Sequence, residues 1–244
     1  MRRALLLLVV LSAFVAGCES KYKDPDPVAM GYDYYPLEIG QYRVYNVEET
    51  IYFGDEPSKL NYQLRERVDT SFIDQTGQLV YKIIRSKRPT ATASWLDDSV
   101  MTVAKSTTMV MLTKNNTKYV KLVFPVKNGM EFVGDLYNTW QVAEGSVNKI
   151  RNNKEVYTFQ SVGENYVLND QNYPVTATVL QNFRSLGTVH DDRFEVYAEG
   201  IGLVHRVSDR LNYKDCQGGA GCVDGFKIDS GHEREEILIE HGKL

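Results

Sequence analysis

Cysteine is scarce in this sequence. There are three in 244 residues, at Cys18, Cys216 and Cys222. The short paired Cys or His spacing of a structural zinc site does not occur. Histidine is sparse too, confined to His190, His205, His232 and His241. No Gly-x-Ser-x-Gly elbow, His-Glu-x-x-His helix or phosphate loop is present. That removes the motif-borne chemistry of serine hydrolases, zinc peptidases and P-loop enzymes. It does not remove an enzyme whose site is assembled from distant residues. There is no basic stripe: 28 Lys and Arg face 32 Asp and Glu, a formal charge of −4. A net-negative body repels phosphate backbones, so nucleic acid is not an expected partner. Beyond residue 16 no apolar run approaches the about 20 residues that cross a bilayer. The βαβ rhythm of a parallel sheet is also missing.

The N-terminus is where the sequence is most specific. Arg2-Arg3 precedes an apolar run over residues 4–16, which ends in small residues before Cys18. A basic start, a short apolar stretch and a small-residue cut describe a secretory signal. Val15-Ala16-Gly17-Cys18 resembles the lipobox of bacterial lipoproteins. The resemblance implies cleavage before Cys18, with Cys18 carrying the lipid as the membrane anchor. Residues 1–17 are then the signal, and residues 18–31 are the lipidated cysteine and a flexible tether. The polar, Pro-rich stretch Glu19-Ser20-Lys21-Tyr22-Lys23-Asp24-Pro25-Asp26-Pro27 suits a spacer. Each buried acyl CH₂ contributes about 0.8 kcal/mol, so several chains on one residue hold firmly. The expected address is the cell envelope, at the outer membrane. Glu19 is not followed by a dense acidic run, which leaves the periplasmic and surface faces both open.

Setting Cys18 aside leaves Cys216 and Cys222, separated by Gln217-Gly218-Gly219-Ala220-Gly221. An exported chain sits where disulfides persist, and this spacer is flexible enough to close a small ring. A Cys216–Cys222 disulfide is therefore expected. Half a metal site with His232 is the competing reading, and it lacks the spacing. No metal and no cofactor is expected.

Residues 32–244 read as a single antiparallel β domain. Leu60, Tyr62, Leu64, Val68 and Phe72 share one phase, with Asn61, Gln63, Arg65, Arg67 and Asp69 on the other. Phe194, Val196 and Ala198 likewise alternate against Arg193, Glu195 and Tyr197. The spacing predicts strands divided at Gln75-Thr76-Gly77, within residues 105–108, at Asn115-Asn116-Thr117 and at Gly163-Glu164-Asn165. Residues 85–94 read as a loop, and residues 134–153 as a short helix or a strand with a long turn. The fold class is all-β, mainly antiparallel: an open or half barrel, or a sandwich-like curved sheet, with at most one or two short helices.

Tyr35-Pro36-Leu37-Glu38-Ile39-Gly40 and Phe124-Pro125-Val126-Lys127-Asn128-Gly129 share an aromatic before Pro and a Gly four residues after it. This leaves open either an internal duplication or two unrelated strand starts. Together with Tyr197-Ala198-Glu199-Gly200-Ile201-Gly202-Leu203-Val204, these blocks resemble segments of uncharacterised lipoproteins of the Bacteroidota cell envelope. That resemblance implies an envelope address and a mostly β body, and it brings no catalytic residues.

Candidate chemistry is thin. His190-Asp191-Asp192 reads as a turn, either solvated or contributing a base or ligand. His205, in phase with Ile201, Leu203 and Val207, reads as a satisfied core histidine. Asp97-Asp98 and Asp191-Asp192 would flank a substrate only if the fold brought them together. Tyr32, Tyr34, Tyr35, Tyr42 and Tyr45 form a cluster suited either to strand packing or to gripping a ligand. The expectation is a lipid-anchored, non-enzymatic binding or interaction protein, holding an apolar ligand or an envelope partner. The alternatives are an envelope glycan hydrolase using paired carboxylates and a structural component of an envelope complex.

Overall fold

The computed structural model describes residues 26–53, 57–142, 147–186, 189–214 and 227–244. Cys18, Cys216 and Cys222, and with them the expected lipidation and disulfide, lie outside the described residues. A short helix, α1 (Pro27–Met30), and a 3-10 turn (Tyr32–Tyr34) lead into the sheet. Its first half comprises β1 (Gln41–Phe53), β2 (Pro57–Ile73), β3 (Leu79–Arg88), β4 (Leu96–Lys105), β5 (Met109–Lys114) and β6 (Thr117–Val123). Its second half comprises β7 (Glu131–Val133), β8 (Ile150–Arg151), β9 (Lys154–Leu168), β10 (Gln171–Leu186), β11 (Val189–Ala198), β12 (Gly202–Tyr213) and β13 (Ile228–Lys243).

The spatial order is β6-β5-β4-β3-β2-β1-β13-β12-β11-β10-β9-β7, with β8 paired to β9 alone. All pairings are antiparallel. Two up-and-down meanders are thus joined where β1 meets β13. At the opposite seam the Val120 N–H donates to the Gly134 carbonyl at 2.8 Å, so β6 and the end of β7 nearly close a barrel. The all-β, antiparallel expectation holds. Hairpins turn at Asn115-Asn116, Asn152-Asn153 and Asn169-Asp170, each pair in the left-handed region that two-residue turns require.

Several local expectations are corrected. Residues 163–165 are not a turn between strands. β9 runs through them with positive φ at Ser161 and Gly163, and its register with β10 shifts nearby, as at a bulge. β3 extends to Arg88, into the stretch read as a loop. His190-Asp191-Asp192 lies in β11 rather than in a turn. Among the described residues of the 134–153 stretch there is no helix, only turns and β8.

One pole of the barrel is plugged. The three blocks of the family resemblance meet there. The Tyr32 ring packs edge-on against Phe124 at 4.7 Å, and Tyr35 lies 6.0 Å from Tyr197. Gly200 N–H donates to the Asp33 carbonyl, and Arg43 Nη1 donates to the Ile201 carbonyl. Lys105 Nζ ties the plug down by donating to the Tyr32 and Tyr35 carbonyls, both at 2.8 Å. The two Pro-Gly blocks make the same turn at the start of each meander. Gln41 N–H donates to Glu38 O, and Met130 N–H donates to Lys127 O. Gly40 and Gly129, both at positive φ, donate to the Val68 carbonyl on β2 and the Phe159 carbonyl on β9.

Above the plug, Tyr45, Leu64, Ile83, Val103, Leu122 and Phe159 are fully buried. Burial of each such side chain contributes about 1.5–3 kcal/mol. A second, smaller packing layer lies outside the barrel wall. The tip of the β9–β10 hairpin, at Leu168, Asn169 and Gln171, faces Asn46, Glu48, Glu235 and Ile237 across a cleft of about 280 Å³.

Candidate functional site

Toward the unplugged pole the interior becomes ionic and leaves a cavity of about 590 Å³. That volume falls in the range of small-molecule sites. Its walls come from both meanders. Glu66 (β2), Arg85 (β3), Lys114 (β5), Lys121 (β6), Arg193 and Glu195 (β11), and Arg206 and Arg210 (β12) supply charge. Met101, Leu112, Tyr119, Tyr157 and Trp140 supply apolar surface. Trp140 stands at the mouth, 59% exposed, its carbonyl held by Lys154 Nζ.

Most of the buried charges are committed to one another. Glu195 accepts from Lys121 Nζ at 2.5 Å, Arg206 Nε at 2.8 Å and the Tyr197 hydroxyl at 2.6 Å. Glu236 accepts from Arg206 Nη1 and Arg234 Nε, both at 2.8 Å. Glu49 accepts from Arg234 Nη1 at 3.0 Å and from Tyr62, and lies 2.7 Å from His232 Nε2. Arg193 is bonded on two sides, to Glu155 and to Asp191. Burial alone would raise both acids, but their cations prevail. Lys121 and Arg206 hold Glu195 at about 2, while Arg206 and Arg234 do the same for Glu236.

Two cations stand apart. Arg85 is 4% exposed, and its one acidic contact among the described residues is Glu66 Oε1, 3.2 Å from Nε. That contact is too poorly aligned to count as a hydrogen bond, so the buried Nε lacks an acceptor. The Lys114 side chain has no hydrogen bond or ion pair among the described residues. Burial, with Arg85, Arg206 and Arg234 nearby, pushes its ammonium down to about 8.

The candidate residues singled out from the sequence fall elsewhere, with one exception. Asp97 accepts from Ser86 on β3, and Asp98 pairs with Lys87 at 2.8 Å, both away from the cavity. Asp191 is buried, locked to Arg193, while Asp192 points outward opposite Asp209. The two Asp pairs do not converge. His205 is satisfied on both ring nitrogens, by the Tyr166 hydroxyl at 2.7 Å and Glu235 at 2.8 Å, as a core histidine should be. Tyr34, Tyr35 and Tyr45 are buried in the plug and barrel, and Tyr42 bonds Glu240 at the surface, so the cluster builds structure rather than a grip. His232 does reach the cavity, paired with Glu49. Sequence reading missed Arg85, Lys114, Lys121 and Arg206. The usable signal was charged residues recurring in the inward phase, such as Glu66 between Leu64 and Val68.

No protein-family model matches the chain, and no curated protein matches it. Two solved structures are similar in outline. One is an inferred exported protein of Bacteroides fragilis with a YmcC-like fold, at 13% identity and a TM-score of 0.40. The other is an inferred lipoprotein of Parabacteroides distasonis, at 10% identity and a TM-score of 0.38. Each alignment covers 86% of this chain and 98% of the other.

Proposed function

We propose that this chain is a lipid-anchored protein of the bacterial outer membrane that binds a small ligand inside its barrel and performs no chemistry on it. The observation that carries the reading is the cavity of about 590 Å³, floored by ion pairs and open at the pole opposite the plug. The acids at its floor are engaged by arginine or lysine, which leaves no free carboxylate pair to act as acid and base. The lining also shifts the expected ligand away from a purely apolar one, because a hydrocarbon would leave these charges buried without water.

The test is native mass spectrometry of the full-length chain purified from its own membranes in non-ionic detergent. A co-purifying small molecule is expected, and it should be lost from Leu112→Trp, which fills the cavity. A protein that emerges empty in every preparation would count against ligand binding. The anchor is tested separately by labelling cells with a palmitate analogue. Label is expected on the wild type and none on Cys18→Ala, whereas an unlabelled wild type with its first seventeen residues intact would end the lipoprotein reading.

A further inference from the structure

We propose that Arg85 and Lys114 form an anion subsite inside the barrel, taking the carboxylate or phosphate of a small organic anion whose ring or apolar body lies toward Tyr119, Tyr157 and Trp140. This rests on the binding-barrel reading and adds the charge of the occupant and the way it sits.

The reasoning starts from supply of acceptors. Arg193, Arg206 and Arg234 are each bonded to two carboxylates. Arg85 has one misaligned contact with Glu66, and Lys114 has none among the described residues. A guanidinium buried without its acceptors is costly, and an added anion offsets that cost with charge-assisted bonds. The field points the same way. Around the Lys114 ammonium stand Arg85 from β3, Arg206 from β12 and Arg234 from β13, opposed chiefly by Glu236. Glu66, Lys121 and Tyr119 complete the wall. The excess is positive, and the acids other than Glu66 are already engaged.

Depth fixes orientation. The Arg85 side chain is 5% exposed, whereas Trp140 is 59% exposed at the mouth. Arg85 lies deep and Trp140 at the rim, so the anion enters head first and its body stays against Trp140.

Trp140 supplies the readout once Trp95, stacked outside between Arg65 and Arg88, is changed to Phe. The full-length Trp95→Phe chain in non-ionic detergent is titrated with phenyl phosphate, phenol, inorganic phosphate and lysophosphatidic acid. Phenyl phosphate should give saturable quenching, and phenol should bind about tenfold more weakly or worse, the equivalent of one charged hydrogen bond. Inorganic phosphate should compete with phenyl phosphate. Lys114→Met and Arg85→Gln should each weaken phenyl phosphate about tenfold and leave phenol unchanged. Arg85→Gln strands Glu66 and can fail to fold. Lys114→Met orphans no acid and decides alone in that case. Lysophosphatidic acid separates the two sources of the same head group. Binding tighter than phenyl phosphate assigns a lipid, weaker assigns a soluble anion, and either order supports the subsite if Lys114→Met weakens it. Equal affinity for phenol and phenyl phosphate, or indifference of phenyl phosphate to Lys114→Met, overturns the subsite while leaving a neutral-ligand barrel standing. Silence to all four probes overturns the subsite, and an empty wild type in native mass spectrometry then removes the barrel reading as well.

Discussion

Lys114 shows how much one side chain can disclose. Its pKa is lowered from the usual lysine value to about 8, chiefly by burial and then by Arg85, Arg206 and Arg234. The unfolded chain therefore holds the proton more tightly than the folded one between about 8 and 10.5. Stability attributable to this group rises with pH across that window, and below it the buried charge is a liability. Lys114→Met should raise the melting temperature at pH 7, and the gain over wild type should shrink as pH climbs through 8 to 10. Thermal melts of both proteins at pH 7, 8.5 and 10 check it, and a constant difference would contradict the assignment. At this scale the sequence was only half legible. Alternation separated Arg193, Glu195 and Tyr197 from Phe194, Val196 and Ala198, but the charged set is the one turned into the barrel. Period two reports that a strand has two faces. It reports which one is inside only when the interior is apolar, and here much of it is not.

Among the elements, the seam between β6 and β7 is the most exposed to a single change. Gly134 accepts the Val120 N–H that bridges the two sheet edges. A Cβ built there would lie 1.9 Å from the buried ring of Tyr157, which also lines the cavity. Gly134→Ala should therefore push the ring or the backbone aside, at a cost of about 1–3 kcal/mol in urea unfolding. It should also speed hydrogen exchange at the Val120 amide. An unchanged Val120 exchange rate would show that the seam does not depend on Gly134. The hairpins at Gln75-Thr76-Gly77 and Asn115-Asn116 were readable because Asn and Gly mark left-handed turns, whereas those at Asn152-Asn153 and Asn169-Asp170 went unread. The bulge in β9 was not, because Gly163 signals equally a turn and a bulge, and only the pairing partner distinguishes them. The Pro-Gly blocks were legible as an echo. Their identical turns at the head of each meander are a property of tertiary pairing with β2 and β9 that no local pattern contains.

For the molecule as a whole, the buried ionic floor sets the response to acid. Glu195 and Glu236 sit at about 2 when folded, against an ordinary value near 4.5. Their contribution is complete above about 4.5 and is lost as pH falls from there toward 2. Urea midpoints should drop steeply across that interval. Glu236→Gln should be destabilised at pH 7 by about 3 kcal/mol, as expected for a broken buried pair, and should approach wild type by pH 2.5. Parallel acid profiles for the two proteins would remove Glu236 from that role. All-β architecture followed from strand count and turn spacing, whereas the ionic cavity did not, because its walls are drawn from strands far apart in the chain.

The strand order has a kinetic corollary. β13 follows the other described strands in the sequence and lies between β1 and β12, so the two meanders share no pairing at that junction without it. Because β1 and β13 are separated in sequence by every other strand of the sheet, that junction closes the longest loop of the fold and forms after the local hairpins on either side of it.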